Sequence, residues 1–222
     1  MEGKLIVIEG VDSSGKATQT KKLIENLREE GQDVETFDFP RHGKKFFGLL
    51  VDKYLNNEFG DATKLDAHIA SLFFACDRWE AKDMINNWLK EGKTVILDRY
   101  ATSNMAHQAV KMKDKKDEFL EWLHELEFEV FKIPKPDQVL YLDVPIKIVT
   151  ELMDKREGKE YINGDKDGHE SDTGYLKATR QIYLYLCEKY DYWQIIECTG
   201  KDGLLTREEI ADSVIENLKK IK

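Results

Sequence analysis

A chain of 222 residues, 41% hydrophobic and 35% charged, with a formal net charge of −9, holds enough apolar content for one substantial core and too much for global disorder. The acidic balance disfavours a protein whose main work is gripping a nucleic-acid polymer, although a local basic cluster can still hold a small phosphate ligand. Cys76, Cys187 and Cys198 are odd in number and not in CxxC spacing, no apolar run reaches the roughly 18 residues of a membrane span, and the N-terminus lacks a signal-peptide pattern, so a soluble cytoplasmic protein without membrane partners is expected.

In chain order, the first predicted strand is LIVIE (5–9), followed by a glycine-bearing turn and a helix-like stretch over 16–30. A second strand, DVETFDF (33–39), runs into FPRHG, and a long amphipathic stretch covers 64–91. TVILD (94–98) and QVLYLDV (138–144) bracket a helix over 115–130; a helix over 146–156 precedes a charged segment (155–174), and a helix over 172–190, the strand WQIIEC (193–198) and a helix over 206–221 end the chain. Apolar β-branched runs alternating with amphipathic stretches predict an α/β fold with a parallel sheet covered on both sides. No linker divides it, so 1–222 reads as one domain. The segment 155–174 is nearly devoid of apolar residues, which suits either a mobile lid or a solvated surface loop.

Ligands of such sheets lie beyond the carboxyl ends of the strands. After the first strand, Gly10, Gly15 and Lys16 fit the GxxxxGK frame of a phosphate loop, in which backbone N–H groups face phosphate oxygens and the lysine reaches the β and γ phosphates. Ala17 stands where a Ser or Thr usually offers a hydroxyl to magnesium, and Thr18 points about 100° away. Magnesium takes few protein ligands, so the gap weakens rather than forbids metal binding; Asp98 is the remaining acidic partner, or else a cap for the following turn. FPRHG (39–43), FFACDRWE (73–80) and LDRYATSNMAHQ (97–108) each join an arginine to aromatic or amide neighbours. Arginine forks match phosphate and aromatic faces stack on bases, which suggests a second nucleotide bound as a monophosphate. Phe73 and Trp79 are equally readable as core.

The ordered set EGVDSSGKATQ, FP with a following arginine, F..DRW, DRY..S..A.Q, then D..E and R..Y beyond the charged segment resembles the thymidylate kinase family of P-loop nucleoside-monophosphate kinases. The resemblance implies a three-layer P-loop NTPase-like fold with a five-stranded parallel sheet flanked by helices and a short mobile lid. It implies transfer of the γ-phosphate of ATP to dTMP, with Mg2+, in a homodimer. ATP would lie on Gly10, Asp12, Ser13, Ser14, Gly15, Lys16, Ala17 and Thr18. In the dTMP site Asp12 would hold the sugar 3′-hydroxyl, Phe74 would stack on thymine, Arg78 would address its O4 edge, and Ser103 and Gln108 would line the base pocket. Phe39, Pro40 and Arg41 would border that site, and Arg99 would hold the acceptor phosphate. Asp98 would organise the metal, and Arg156 of the lid would reach the transferred phosphate. The chain departs from the family pattern at Ala17, at Arg41 directly after Pro40, and at Asp172, where some members have a tyrosine that excludes ribose. Another pyrimidine deoxynucleotide or deoxynucleoside as acceptor, or a nucleotide-binding protein without turnover, are the alternative readings.

Overall fold

A computed structural model describes residues 3–157 and 173–218. Five parallel strands, β1 (Lys4–Glu9), β2 (Val34–Asp38), β3 (Thr94–Asp98), β4 (Gln138–Asp143) and β5 (Trp193–Glu197), form a sheet in the order β2-β3-β1-β4-β5. The register sets Ile8 beside Asp98 and Glu9 beside Tyr141, so three chain segments deliver side chains to one edge. The central strands are apolar on both faces: Leu5 to Ile8, Val95 to Leu97 and Val139 to Leu142 are all buried, as a sheet covered on both sides requires.

Helices α1 (Lys16–Glu29) and α8 (Arg207–Leu218) pack together on one face, joined by a Gln19 Nε2 to Arg207 carbonyl bond of 3.0 Å and a Lys22–Glu208 pair of 2.9 Å. The other face carries α3 (Ala67–Lys90), α4 (Ala101–Ala109) and α7 (Thr173–Lys189), with α2 (Lys45–Leu55) against α3 and α5 (Lys116–His124) against α4. The expected three-layer α/β fold is the observed one. Every predicted strand lies within one residue of an observed strand at each end. Helix α3 begins at 67 rather than 64 because the Asp66 carboxylate caps it, accepting from the N–H groups of His68 (2.9 Å) and Ile69 (3.3 Å). The predicted helix 115–130 is α5 followed by a π-helical turn, Glu125–Val130, whose Glu127 is fully buried.

Two helices escape the sequence pattern. Neither α2 nor α4 has a side-chain cap at its N-terminus, so both lack a start signal, and α4 is also short, with nine residues, several of them polar. A 3-10 turn over Val110–Lys115 and a hairpin of β6 (Thr199–Gly200) with β7 (Gly203–Leu204) were equally unmarked. The charged segment is bounded by α6 (Ile146–Glu157) and α7; the predicted lid between them, with Asp172, lies outside the described residues.

Candidate active site

The turn between β1 and α1 needs its glycines for specific reasons. A Cβ on Gly10 would stand 2.5 Å from Ser14 Oγ and 3.2 Å from the Leu142 carbonyl, and Gly15 sits at φ +90°, a conformation open mainly to glycine. Gly15 caps α1 with no side-chain hydrogen bond, which leaves the first N–H groups of the helix to a ligand and presents its positive dipole end. Lys16 Nζ donates to the carbonyls of Gly10 and Val11, both at 2.9 Å. Burial lowers its pKa to about 8, with Arg99 adding to the effect and Asp12, Asp98 and Glu9 opposing it. Ser14 Oγ is buried without a hydrogen-bond partner among the described residues, the state expected of a group built to meet a ligand. Ala17 is exposed, while Ser13 and Thr18 are half-buried.

Asp98 ends β3, and burial raises its pKa while Lys16 and Arg99 pull it down, so it stands within electrostatic reach of both cations. It is not the N-cap of the next helix: that residue is Tyr100, whose side chain makes no capping bond.

Beside the loop, a cleft of about 240 Å³ is lined by Asp12, Phe39, Pro40, Phe74, Arg78, Arg99, Ser103 and Gln108, together with His42, Tyr54, Leu55, Tyr100, Asn104, His107 and Tyr175. That volume lies just under the ~300–1,000 Å³ of drug-sized sites, a size for one small ligand. Every residue assigned to the acceptor except Arg41 lies on its wall. Arg99 is held at φ +67°, costly for a non-glycine residue, and its N–H donates to the Ile8 carbonyl (3.1 Å). Its Nη2 pairs with the Asp12 carboxylate, while Nη1 lies 3.3 Å from Ser103 Oγ and 3.2 Å from His107 Nε2. Burial works against the Arg99 charge, but Asp12, Tyr183, Glu9 and Asp98 outweigh it and hold the guanidinium protonated. Facing a guanidinium, His107 Nε2 must accept; Nδ1 then carries the proton and donates to the Tyr175 hydroxyl at 3.0 Å.

At the other end Arg78 is buried, with Nε and Nη2 bonded to the Glu127 carboxylate. Asn104 Nδ2 donates to the Ser71 carbonyl (3.1 Å), and the carboxamide oxygens of Asn104 and Gln108 are buried without hydrogen-bond partners among the described residues. Two orphaned acceptors on a cleft wall suit a ligand that brings its own N–H donors. Phe74 lies edge-on to Tyr54, with centroids 5.7 Å apart. Phe73 instead packs on Tyr54 and Phe59, and Trp79 is 46% exposed; neither lines the cleft.

Arg41 corrects the sequence reading. Its Nε donates to Asp77 Oδ1 (2.9 Å), its Nη2 to the Asp77 carbonyl (2.9 Å) and Glu80 (2.6 Å), and its N–H to Asp77 Oδ2 (2.9 Å). The guanidinium is therefore spent on α3, because the fully buried Asp77 needs a counter-charge. Arg156 lies in the last turn of α6, and its side chain is outside the described residues. Arg180 forks onto Asp143, both bonds 2.7 Å, while Tyr183 reaches Glu9 (2.8 Å). Glu9, His42, Asn104 and His107 lie inside the motifs EGVDSSGKATQ, FPRHG and LDRYATSNMAHQ without a role of their own, and Tyr54 and Tyr175 were missed.

The sequence model of a family described as thymidylate kinase matches residues 8–210. The chain is 30% identical over 220 residues to a probable thymidylate kinase of Pyrococcus abyssi, covering 99% of this chain and 97% of that one. It is 32% identical over 183 residues to a thymidylate kinase of Mycobacterium tuberculosis, 82% and 85% covered. The match to the Homo sapiens thymidylate kinase, 35% identical over 144 residues and 65% of this chain, spans only 62% of that relative's length; for the Arabidopsis thaliana relative the share is 49%. A solved thymidylate kinase structure from Candida albicans superposes with a TM-score of 0.73 at 27% identity, covering 98% of this chain and 92% of that one. With the phosphate loop, the strand order and the cleft in place, the chain belongs to the thymidylate kinase family.

Proposed function

We propose that the protein transfers the γ-phosphate of ATP to dTMP, giving dTDP. The observation that carries this reading is the cleft itself, whose wall joins Asp12 and Arg99 to Phe74, Arg78, Asn104 and Gln108 beside a glycine-rich loop at the carboxyl ends of the strands. The distribution suits an acceptor with a phosphate, a sugar hydroxyl and a flat base. Arg99 receives the acceptor phosphate in exchange for Asp12, whose carboxylate then accepts from the sugar hydroxyl. Asn104 and Gln108 offer oxygens to the base N–H, and Phe74 supplies an aromatic face.

Phosphoryl transfer runs through a metaphosphate-like transition state, so placement of cations matters more than proton removal. Lys16 leaves the carbonyls of Gly10 and Val11 for the β and γ phosphates, and the N–H groups of the loop and α1 take the remaining oxygens. A carboxylate near Lys16 fits magnesium, which takes one or two carboxylates and otherwise phosphate oxygens and water. Asp98 would hold it, directly or through water, and the bound ion would neutralise charge on the β and γ oxygens. No hydroxyl at Ala17 shares that work. Arg156 is assigned to the transferred phosphate, and the lid to water exclusion, by the family resemblance.

The outward side chains Ile69, Leu72, Trp79 and Met84 of α3, with Phe46 and Leu49 of α2, are exposed and support pairing of two copies as a homodimer. Three free cysteines suit a reducing compartment, and the reading places the protein in the cytoplasm; among the described residues no helix is long and apolar enough to cross a membrane.

The test measures ADP formation from ATP with dTMP, dUMP, dCMP, UMP, thymidine or no acceptor, with magnesium titrated over a wide range. Rapid turnover with dTMP, at least tenfold above UMP and thymidine, is expected. Equal turnover with thymidine, or none with any acceptor while ATP still binds, overturns the reading.

A further inference from the structure

Glu9 is fully buried at the end of β1 and takes no part in the scheme above. Its Oε1 accepts from the Tyr100 N–H (3.3 Å), Thr102 Oγ1 (2.6 Å) and Ser103 Oγ (2.9 Å), and its Oε2 from Ser103 Oγ (2.7 Å) and the Tyr183 hydroxyl (2.8 Å). All of these groups donate, and an ionised carboxylate only accepts, so the ring of partners is complementary to the charged form. A serine hydroxyl has one proton. With that proton directed at Glu9, the lone pairs of Ser103 Oγ are left for Arg99 Nη1, 3.3 Å away.

Both ends of Arg99 are thus referenced to the last two residues of β1, since its backbone N–H is already fixed on Ile8. Tyr183, stacked on Tyr141 with centroids 4.7 Å apart and an interplanar angle of 18°, brings in α7.

We propose that Glu9 is a positioning residue: through Ser103 it holds the Arg99 guanidinium at the phosphate end of the cleft, and through Tyr183 it ties that arrangement to α7. The inference rests on the reading of Arg99 as the group that meets the acceptor phosphate. A carboxylate that merely stapled β1, α4 and α7 together would affect stability without distinguishing a nucleotide from a nucleoside. Glu9 as a positioning residue acts on the phosphate alone.

The full chain and its Glu9→Gln, Tyr183→Phe and Thr102→Val variants are titrated calorimetrically with dTMP and with thymidine, and their Tm values recorded. Glu9→Gln weakens dTMP by about tenfold or more and thymidine by less than about twofold, a loss confined to the phosphate contact. Tyr183→Phe moves the dTMP-to-thymidine ratio in the same direction by a smaller factor, about two- to fivefold. Thr102→Val removes a bond to the same carboxylate with no route to Arg99; it lowers Tm but keeps the ratio within about twofold. Equal weakening of both ligands by Glu9→Gln, or a ratio change no larger than that of Thr102→Val, overturns the proposal, and if Glu9→Gln does not fold, the Tyr183→Phe ratio decides in its place. Wild-type turnover with dTMP reads the proposed function separately: a chain that prefers dTMP to thymidine yet transfers no phosphate fails that function while the ratios still judge Glu9. A wild-type chain without that preference overturns the Glu9 inference as well.

Discussion

The donor loop and the acceptor cleft solve the same problem, holding a phosphorylated ligand, by opposite means. The loop is nine consecutive residues, 10–18, whose recognition groups are backbone N–H donors and one lysine resting on its own loop carbonyls. The cleft is assembled from side chains of the β1–α1 turn, the segment after β2, α2, α3, the β3–α4 turn, α4 and α7, cross-braced by a buried Arg78–Glu127 pair. A backbone site is fixed by local conformation and tolerates a buried, partly discharged cation. A side-chain site is fixed by tertiary packing, so its binding groups are also structural groups.

The sharpest test of that contrast is stability. Glu127→Ala leaves Arg78 buried and unpaired and should cost about 3–5 kcal/mol, a fall of roughly 10 °C in Tm for a chain of this size. Lys16→Met should instead cost about 10²–10³ in kcat while Tm holds or rises by a few degrees. The depressed Lys16 pKa, about 8 against 10.5, means the unfolded chain keeps a proton that the folded chain releases between those values. Stability contributed by this group therefore rises with pH across that window, and below it the buried cation is a cost that methionine removes. If Lys16→Met melts as low as Glu127→Ala, the loop is as much a packing element as the cleft, and the contrast fails.

Arg41→Met separates the two roles within one segment. It strips the buried Asp77 of its counter-charge and should lose roughly 2–3 kcal/mol, while KM for dTMP changes by less than about twofold; a tenfold rise in KM would put Arg41 back on the acceptor. A smaller effect is protonic. With Lys16 half-charged near pH 8 in the free protein, ATP phosphates restore its full charge, so binding should take up about half a proton at pH 8 and almost none at pH 6.5. Calorimetry in buffers of different ionisation enthalpy reads this directly. The smallest expected effect is Ala17→Ser, which adds one hydroxyl and should lower the magnesium needed for half-maximal rate by about two- to fivefold, with kcat nearly unchanged.

How legible each region was follows from the same contrast. The loop could be read because its chemistry is contiguous: an apolar strand, Gly10, Gly15 and Lys16 in fixed spacing, then a helix. Phe74, Arg78, Asp98, Arg99, Ser103 and Gln108 were reachable through the family's ordered motifs. Arg41 shows the limit, since its partner Asp77 lies 36 positions away and no local pattern says that a buried carboxylate will claim the guanidinium. Tyr54 and Tyr175 went unread because α2 lacks a start signal and because Tyr175 meets His107 from 68 positions away, and Asn104 and His107, though inside LDRYATSNMAHQ, drew no role of their own.

The sequence by itself determined the alternation of buried strands and amphipathic helices, the position of the phosphate loop and its missing hydroxyl, since these depend on neighbours within a turn or two of the chain. Tertiary structure decided which charges are spent and which face the cleft: Arg41 on Asp77, Arg78 on Glu127, Arg99 shared between Asp12 and Ser103, and Glu9 sealed among four donors. Each of those outcomes depends on burial, and a buried charge takes whatever counter-charge or donor the packing brings within reach.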